Sequence, residues 1–320
     1  MITLFLLYIS IHTTVCFTSW GDYKASLNWT FKTQEEEVFR KSEYETSIKD
    51  ILGYLQFSQQ DKALRLTVNK LALLSKPERD FLKGTRIPKG VKPKKSKGFR
   101  PKTSLPSYVD YRNSSCMPPV KDQGICGSCW AFSATSTVEY YNCKRFRRLA
   151  RLSEQNLVDC NDVNNNCFGG FYTGAWDYIR NLGQCRESTY AYVSGESGLP
   201  ESCKRSICNI GGYVRSYKAI ESDAVAMADI VANVGPISVA IDASLSSYDF
   251  YSSGVYRDPK CTKNVNHAMV IVGYGKTSDG IDYWIVRNSW GKWWGEEGYM
   301  LIERGVNMCG IEEYPFYPLL

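Results

Sequence analysis

Gln123-Gly124-Ile125-Cys126-Gly127-Ser128-Cys129-Trp130-Ala131-Phe132 is the stretch on which the reading of this chain turns. Residues 129–143 read as a helix, with Trp130, Ala134, Val138 and Tyr141 spaced four, four and three apart as a buried stripe. Cys129 opens that helix, where unpaired N–H groups and the positive end of the helix dipole favour a thiolate. Gly127 lets a peptide backbone pass close to the sulfur. A cysteine nucleophile also needs a base. The chain holds two histidines, and His12 lies in an apolar leader, which leaves His267 in Asn266-His267-Ala268. Cys126 and Cys129 also have redox Cys-x-x-Cys spacing, a motif expected near a βαβ pattern in a reducing compartment.

Twelve cysteines argue instead for an oxidising compartment. Residues 1–21 carry no Lys, Arg, Asp or Glu, and 1–11 are nearly all apolar. Such a run is too short to span a bilayer but suits a signal-peptide core, although its basic flank is missing. Cleavage after Cys16 leaves eleven cysteines, and the simplest partition is five disulfides and one free thiol. Asn28-Trp29-Thr30 and Asn113-Ser114-Ser115 are glycosylation sequons. No later stretch is apolar enough to cross a membrane. The expected route is the secretory pathway, ending outside the cell or in the lysosome.

Charge divides the chain near residue 104. Residues 1–104 hold 19 Lys/Arg against 10 Asp/Glu, a net +9, and residues 105–320 hold 20 against 23, a net −3. Residues 83–102 carry nine Lys/Arg and no acid. Such a run can bind nucleic acid or anionic membrane. Interspersed prolines and glycines favour a solvated linker. The expected organisation is a signal peptide at 1–16, a second segment at 17–104 with a basic linker at 83–104, and the main domain at 105–320. Residues 34–57 are helical in pattern, with Val38, Phe39, Ile48, Ile51, Leu52 and Leu55 available for one face. A short helix follows Pro77, Ser153 caps another, and 224–234 is a further one. Residues 265–272, 282–288 and 299–303 are strand-like. Helices first and strands later in one unit imply an α+β fold of two lobes.

The 123–132 run resembles the nucleophile motif of papain-like cysteine peptidases, the cathepsin L-like branch in particular. His267 follows Cys129 by 138 residues and Asn288 by 159. Asn288-Ser289-Trp290-Gly291 is similar to that family's asparagine segment, and Cys167-Phe168-Gly169-Gly170 to its glycine-rich substrate-binding strand. The tail Ile311-Glu312-Glu313-Tyr314-Pro315 also looks like the mite group 1 allergen peptidases.

The resemblance implies a papain-like two-lobed fold, a helical left lobe and a β-barrel-like right lobe with the cleft between, preceded by a helical inhibitory propeptide. It implies a proenzyme of a cysteine endopeptidase. Cys129 is the nucleophile, His267 its base, Asn288 the orienting residue and Gln123 an oxyanion donor. Trp290 shields the His267–Asn288 bond. Gly127, Gly169 and Gly170 meet substrate backbone. Phe171, Tyr172, Ala240, Val265 and Ala268 line the pocket for P2, the second residue before the cleaved bond, which should be apolar. Tyr314 or Glu313 stands at its floor. The implied disulfides are Cys126–Cys167, Cys160–Cys203 and Cys261–Cys309. Cys116, Cys143, Cys185 and Cys208 are extra, with three connectivities open.

In the N-terminal segment, Glu36, Arg40, Tyr44 and Ile51 keep the spacing of the family's interspersed pro-motif. Ser47 and Leu55 stand where asparagines are common, and the second motif lacks its glycine and aspartate at Thr67 and Leu73. Implied partners are peptide and protein substrates, the chain's own propeptide and cystatin-like inhibitors. No cofactor, metal, nucleic acid or membrane span is expected, and the protein is expected to be a monomer. Carboxydipeptidases of the family need occluding-loop histidines, and none remains here. The reading from another class is a catalytically silent homologue acting as a binding protein or antigen.

Overall fold

The computed structural model describes residues 18–27, 30–57, 64–101 and 103–320. The expected signal peptide at 1–16, with His12, and the sequon asparagine Asn28 lie outside the described residues. Helix α4 (Cys129–Phe146) runs through the middle, and every residue from Cys129 to Cys143 is buried. The expected single stripe is thus too narrow. One side packs on helix α6 (Tyr172–Leu182) and the other on the strand His267–Lys276. Two of its polar residues are satisfied locally: Thr137 Oγ1 donates to the Ala134 carbonyl at 2.9 Å and Asn142 Nδ2 to the Val138 carbonyl at 2.8 Å. Glu139 pairs with Lys121 at 3.0 Å, and Lys121 reaches Glu154 of helix α5 (Glu154–Cys160) at 2.7 Å. Arg147 ends α4 in a left-handed conformation, φ 57°. Ser153 caps α5, its hydroxyl accepting from Asn156 N–H at 2.9 Å. Together α4, α5 and α6 make the helical lobe.

The second lobe is built on an eight-stranded sheet. Its central strand, His267–Lys276, pairs antiparallel with Ile237–Ile241 on one side and Asp282–Arg287 on the other. Tyr299–Glu303 continues the sheet outward. The expected strands at 265–272, 282–288 and 299–303 are present with end shifts, and 224–234 is the helix Ala224–Asn233. The sheet's buried faces carry β-branched and aromatic side chains such as Val239, Ile271, Trp284 and Ile302. The fold is the α+β, papain-like one expected, with the lobes meeting where α4 begins and the central strand begins.

The N-terminal segment packs across this seam. It holds helices α1 (Trp20–Ser26), α2 (Gln34–Phe57) and α3 (Lys76–Phe81). The expected apolar face of α2 holds in part: Ile51 is buried and Ile48 and Leu55 pack against the core, but Val38, Phe39 and Leu52 are exposed. The fully buried residues of α2 are Tyr44, Ser47 and Ile51. Those three stand three and four apart, the helical repeat, whereas Val38, Phe39 and Leu52 fall off that line. Helix α3 opens with a capping box between Ser75 and Glu78. Arg40 of α2 clasps the same Glu78 at 2.6 and 2.9 Å and the Leu73 carbonyl at 3.0 Å. The strand Arg65–Leu66 pairs antiparallel with Tyr251–Ser253 of the main domain. Residues 86–101 run over the surface without regular structure, and Lys94 O, Ser96 and Lys97 meet Ser222 N, Asp223 and Glu221. Lys83, the first residue of the basic run, is not part of a solvated linker: it is fully buried.

Five disulfides cross the main domain, Cys126–Cys167, Cys160–Cys203, Cys261–Cys309, Cys116–Cys143 and Cys185–Cys208, and among the described residues Cys129 is the free cysteine. The last two pairs choose one of the three connectivities that sequence leaves open. Non-reducing digestion with peptide mass mapping should recover Cys116–Cys143 and Cys185–Cys208 cross-links. A Cys116–Cys185 or Cys116–Cys208 peptide would contradict this pairing.

Candidate active site

Cys129 and His267 stand at the starts of their elements, on opposite sides of the seam. Cys129 Sγ accepts from the Ala268 backbone N–H at 3.4 Å, which sets it beside the residue that follows the histidine. Asn288, at the end of Asp282–Arg287, lies 2.8 Å from His267 Nε2 through its Oδ1. That same Oδ1 accepts from the Ser289 backbone N–H at 2.8 Å. An N–H pointing at the oxygen fixes which end of the amide faces the ring. The contact with Nε2 is therefore a donated N–H, and the proton sits on Nε2. Nδ1 is then the basic nitrogen, and it is buried with no hydrogen-bond partner. Trp290 lies against the imidazole, ring centres 4.9 Å apart, and is itself buried. Tyr248 closes another side edge-on at 6.0 Å.

Gln123 is fully buried, and its amide is also oriented. Ser289 Oγ donates to Gln123 Oε1 at 2.7 Å, so Nε2 faces the other way. Nε2 donates to the Cys126 carbonyl and the Leu82 carbonyl, each at 2.8 Å. Ser289 thus ties Gln123 to Asn288, a link reinforced by the Gln123 N–H donating to the Ser289 carbonyl at 2.8 Å. Tyr192 donates to the Gln123 carbonyl at 2.8 Å and meets Ser128 Oγ at 2.9 Å. Neither Ser289 nor Tyr192 was singled out in the sequence. Ser289 carried a signal, since it stands inside the Asn288-Ser289-Trp290 run. Tyr192 carried none, lying 69 residues from Gln123.

The N-terminal segment occupies the cleft. Thr85 Oγ1 is 3.4 Å from Cys129 Sγ. Gly84 crosses so close that a Cβ there would meet the Gly127 carbonyl oxygen at 1.7 Å, and a Cβ on Gly127 would meet the Phe81 and Cys167 carbonyls at 2.7 and 2.4 Å. Only glycine fits at both places. Gly170 N–H donates to the Gly84 carbonyl at 2.8 Å, and Arg86 N–H donates to the Gly170 carbonyl at 2.9 Å. The resulting bridge between Thr85 and Gly170 is parallel. Gly169, with φ +120°, sits under the Gly84 carbonyl. Phe171, Tyr172, Ala240 and Ala268 share one apolar cluster, with Val265, Tyr314, Ile87 and Val91 packed against it. Tyr172 donates its hydroxyl to the Tyr314 carbonyl, and the Tyr314 ring meets Phe171 edge-on at 6.3 Å. Glu313 turns away and accepts from Asn307 Nδ2 at 2.6 Å. Asn113 is exposed in a turn.

This cover sets the ionisation of the pair. Burial pushes the Cys129 thiol up, against smaller opposing contributions from Thr85 Oγ1 and backbone N–H groups. Burial pulls His267 down to about 4; the Asn288 bond opposes this, and the Lys83 charge adds to it. Both shifts favour thiol and imidazole over thiolate and imidazolium in the covered site. Among the described residues no cluster of His, Cys, Asp or Glu could hold a metal ion, and no helix is long and apolar enough to cross a membrane.

Comparison with known proteins agrees with this arrangement. A family model described as papain family cysteine protease matches residues 105–319. Cathepsin S of Bos taurus is 38% identical over 306 residues, covering 93% of this chain and 91% of the relative. Cathepsin K of Mus musculus is 38% identical over 309 residues, covering 94% and 92%. Among solved structures, the digestive procathepsin L2 proteinase from the larval midgut of Tenebrio molitor superposes with a TM-score of 0.84 at 32% identity, covering 94% of this chain and 98% of that one.

The His267 environment makes a testable statement. Its value in the covered site lies below the ordinary 6.5, so it favours the covered arrangement above pH 6.5 and loses that contribution as pH falls toward 4. Histidine-selective NMR on the uncleaved chain, with a His12→Gln variant for assignment, should give a His267 midpoint near 4. A midpoint at or above 6.5 would contradict it.

Proposed function

The chain belongs to the papain family of cysteine proteases, and from that premise we propose that residues 105–320 are a cathepsin L-like endopeptidase held inactive by a propeptide at 17–104. The observation that carries the mechanism is the imidazole of His267, held by Asn288 at Nε2 and left without a hydrogen-bond partner at Nδ1, next in the chain to Ala268, whose N–H bonds Cys129 Sγ.

When the propeptide leaves, water reaches the pair and the burial penalty on both charges falls. His267 Nδ1 then takes the Cys129 proton, giving thiolate and imidazolium. The thiolate forms an S–C bond to the scissile carbonyl carbon. Negative charge moves to the carbonyl oxygen, which the Gln123 Nε2–H and the Cys129 backbone N–H stabilise. His267 protonates the leaving amine, and the C–N bond breaks to leave an acyl-enzyme. His267 next takes a proton from water. The hydroxide attacks the thioester carbon, the C–S bond breaks to release the acid product, and the departing thiolate takes the proton back from His267.

The Leu82 carbonyl bonds the same Gln123 Nε2 that would receive the oxyanion. The chain's polarity accounts for its survival there. Ile87 and Val91, which pack on the P2-pocket cluster, follow the residues that cross Cys129. A substrate's P2 residue precedes its scissile bond. The propeptide therefore runs backwards through the cleft and presents no carbonyl in the attackable sense. The apolar Phe171, Tyr172, Ala240 and Ala268 cluster, with Tyr314 at its edge, favours an aliphatic or aromatic P2 residue. The proposed route is secretory, with a lysosomal or extracellular destination, and Asn113 as a glycan acceptor.

Chain freed of residues 1–104 should hydrolyse fluorogenic peptides with Leu, Val or Phe at P2, and Cys129→Ala should abolish this. Hydrolysis surviving in Cys129→Ala would refute the assignment. In Gln123→Ala, kcat/KM should fall by roughly 10²–10³, mostly in kcat. An unchanged kcat would remove Gln123 from the oxyanion site.

A further inference from the structure

We propose that Asp249 is the carboxylate by which the peptidase domain recognises its own propeptide, reading two cations spaced four residues apart. The proposal rests on the zymogen reading above and goes beyond it to what makes the pairing selective.

Residues 246–253 of the main domain are held by the N-terminal segment at several points. Ser246 Oγ donates to Asp50 at 2.7 Å, Thr67 N–H to the Phe250 carbonyl at 2.9 Å, and Asn69 Nδ2 to the Asp249 carbonyl at 2.8 Å. Arg65 and Leu66 pair with Ser253 and Tyr251. Most of these contacts use backbone atoms and would admit many sequences. Asp249 is different. Its side chain is fully buried, with Lys83 Nζ 2.9 Å from Oδ1 and Arg79 Nε 3.1 Å from Oδ2. Both cations are themselves buried, and both come from the N-terminal segment. Among the described residues, no cation of residues 105–320 forms an ion pair with it.

A buried carboxylate without a partner is strongly unfavourable, and so is a buried ammonium or guanidinium. Lys83 also lies 3.3 Å from the part-exposed Asp80 of its own segment, whereas among the described residues Asp249 and Arg79 have no other charged partner, so a neutral counterpart leaves a buried charge poorly matched on either side. The cations are also placed exactingly. The Ser75–Glu78 capping box fixes α3, which carries Arg79. The Arg79 guanidinium is further held by the Leu74 carbonyl at 2.8 Å and Ser47 Oγ at 3.3 Å, above the Phe250 ring at 5.5 Å. Lys83 lies between Leu82, whose carbonyl bonds Gln123, and Gly84, which crosses Gly127. The Asp249 ion pairs thus set the register of the inhibitory segment over Cys129. Once that segment leaves, the carboxylate remains on the enzyme as a site for any inhibitor that carries the same cation spacing.

The test is the rate at which iodoacetamide labels Cys129 in the uncleaved full chain at pH 7, read from the mass of its peptide. Arg79→Met/Lys83→Met and Asp249→Asn should each be labelled on the order of 100-fold faster than wild type. Arg79→Met/Lys83→Met/Asp249→Leu, which removes all three charges, should return to within about tenfold of wild type, because an apolar replacement of a buried ion pair is commonly neutral. Lys83→Arg should stay near the wild-type rate, while Lys83→Met should not. Wild-type rates in the double variant, a triple variant as fast as the double, or equal rates for Lys83→Arg and Lys83→Met would each overturn the proposal. If wild-type uncleaved chain is labelled as fast as enzyme freed of residues 1–104, the zymogen reading itself fails, a result distinct from those three.

Discussion

The Ser289 N–H that points at Asn288 Oδ1 constrains everything else at this site. It settles the orientation of one amide, and with it the tautomer of His267, so that Nδ1 is the nitrogen free to act as a base. Ser289 extends the constraint through its hydroxyl to Gln123 Oε1, which turns Gln123 Nε2 toward the cleft. One residue thereby orients both His267, the proposed base, and Gln123, the proposed oxyanion donor, and Trp290 lies against the imidazole. Such preorganisation is what lets a few dipoles act strongly in a dry site.

The same dryness, when supplied by the N-terminal segment, works against catalysis. A thiolate and an imidazolium are each disfavoured by burial, and the segment buries both. Its Lys83 adds a positive charge near His267, a further cost to the imidazolium. On the proposed zymogen reading, steric cover, reversed polarity and suppressed ionisation reinforce one another, and all three end when the segment departs. Acid would loosen the cover through His267, because protonation is favoured only where water can reach the ring.

Much of the site was legible because each of its parts sits in a short run of unusual composition. Cys129 follows two small residues and opens a helix, His267 is the one histidine of the main domain, and Asn288 leads a tryptophan-rich turn. What stayed hidden depended on pairs far apart in the chain. Lys83 reads as the start of a solvated basic run, and its partner Asp249 lies 166 residues on. Ser47 looks like a surface residue of α2 until Arg79 covers it. The all-round burial of α4 was masked by Ser133, Thr135, Thr137 and Glu139, polar residues whose partners are the distant Met269 carbonyl, Gln184, a local carbonyl and Lys121. The four extra cysteines offered three pairings, and only proximity in the fold chooses among them.

On the proposed reading, an otherwise competent Cys129–His267 pair is kept un-ionised by the segment lying over it. The most direct measurement is the pH profile of Cys129 alkylation before and after removal of residues 1–104. The account predicts a reactive thiolate already present below pH 6 in the cleaved enzyme, and in the uncleaved chain a rate that rises only in alkaline solution. Superimposable profiles, or a cleaved enzyme whose thiol titrates like that of a free cysteine at about 8.5, would contradict it.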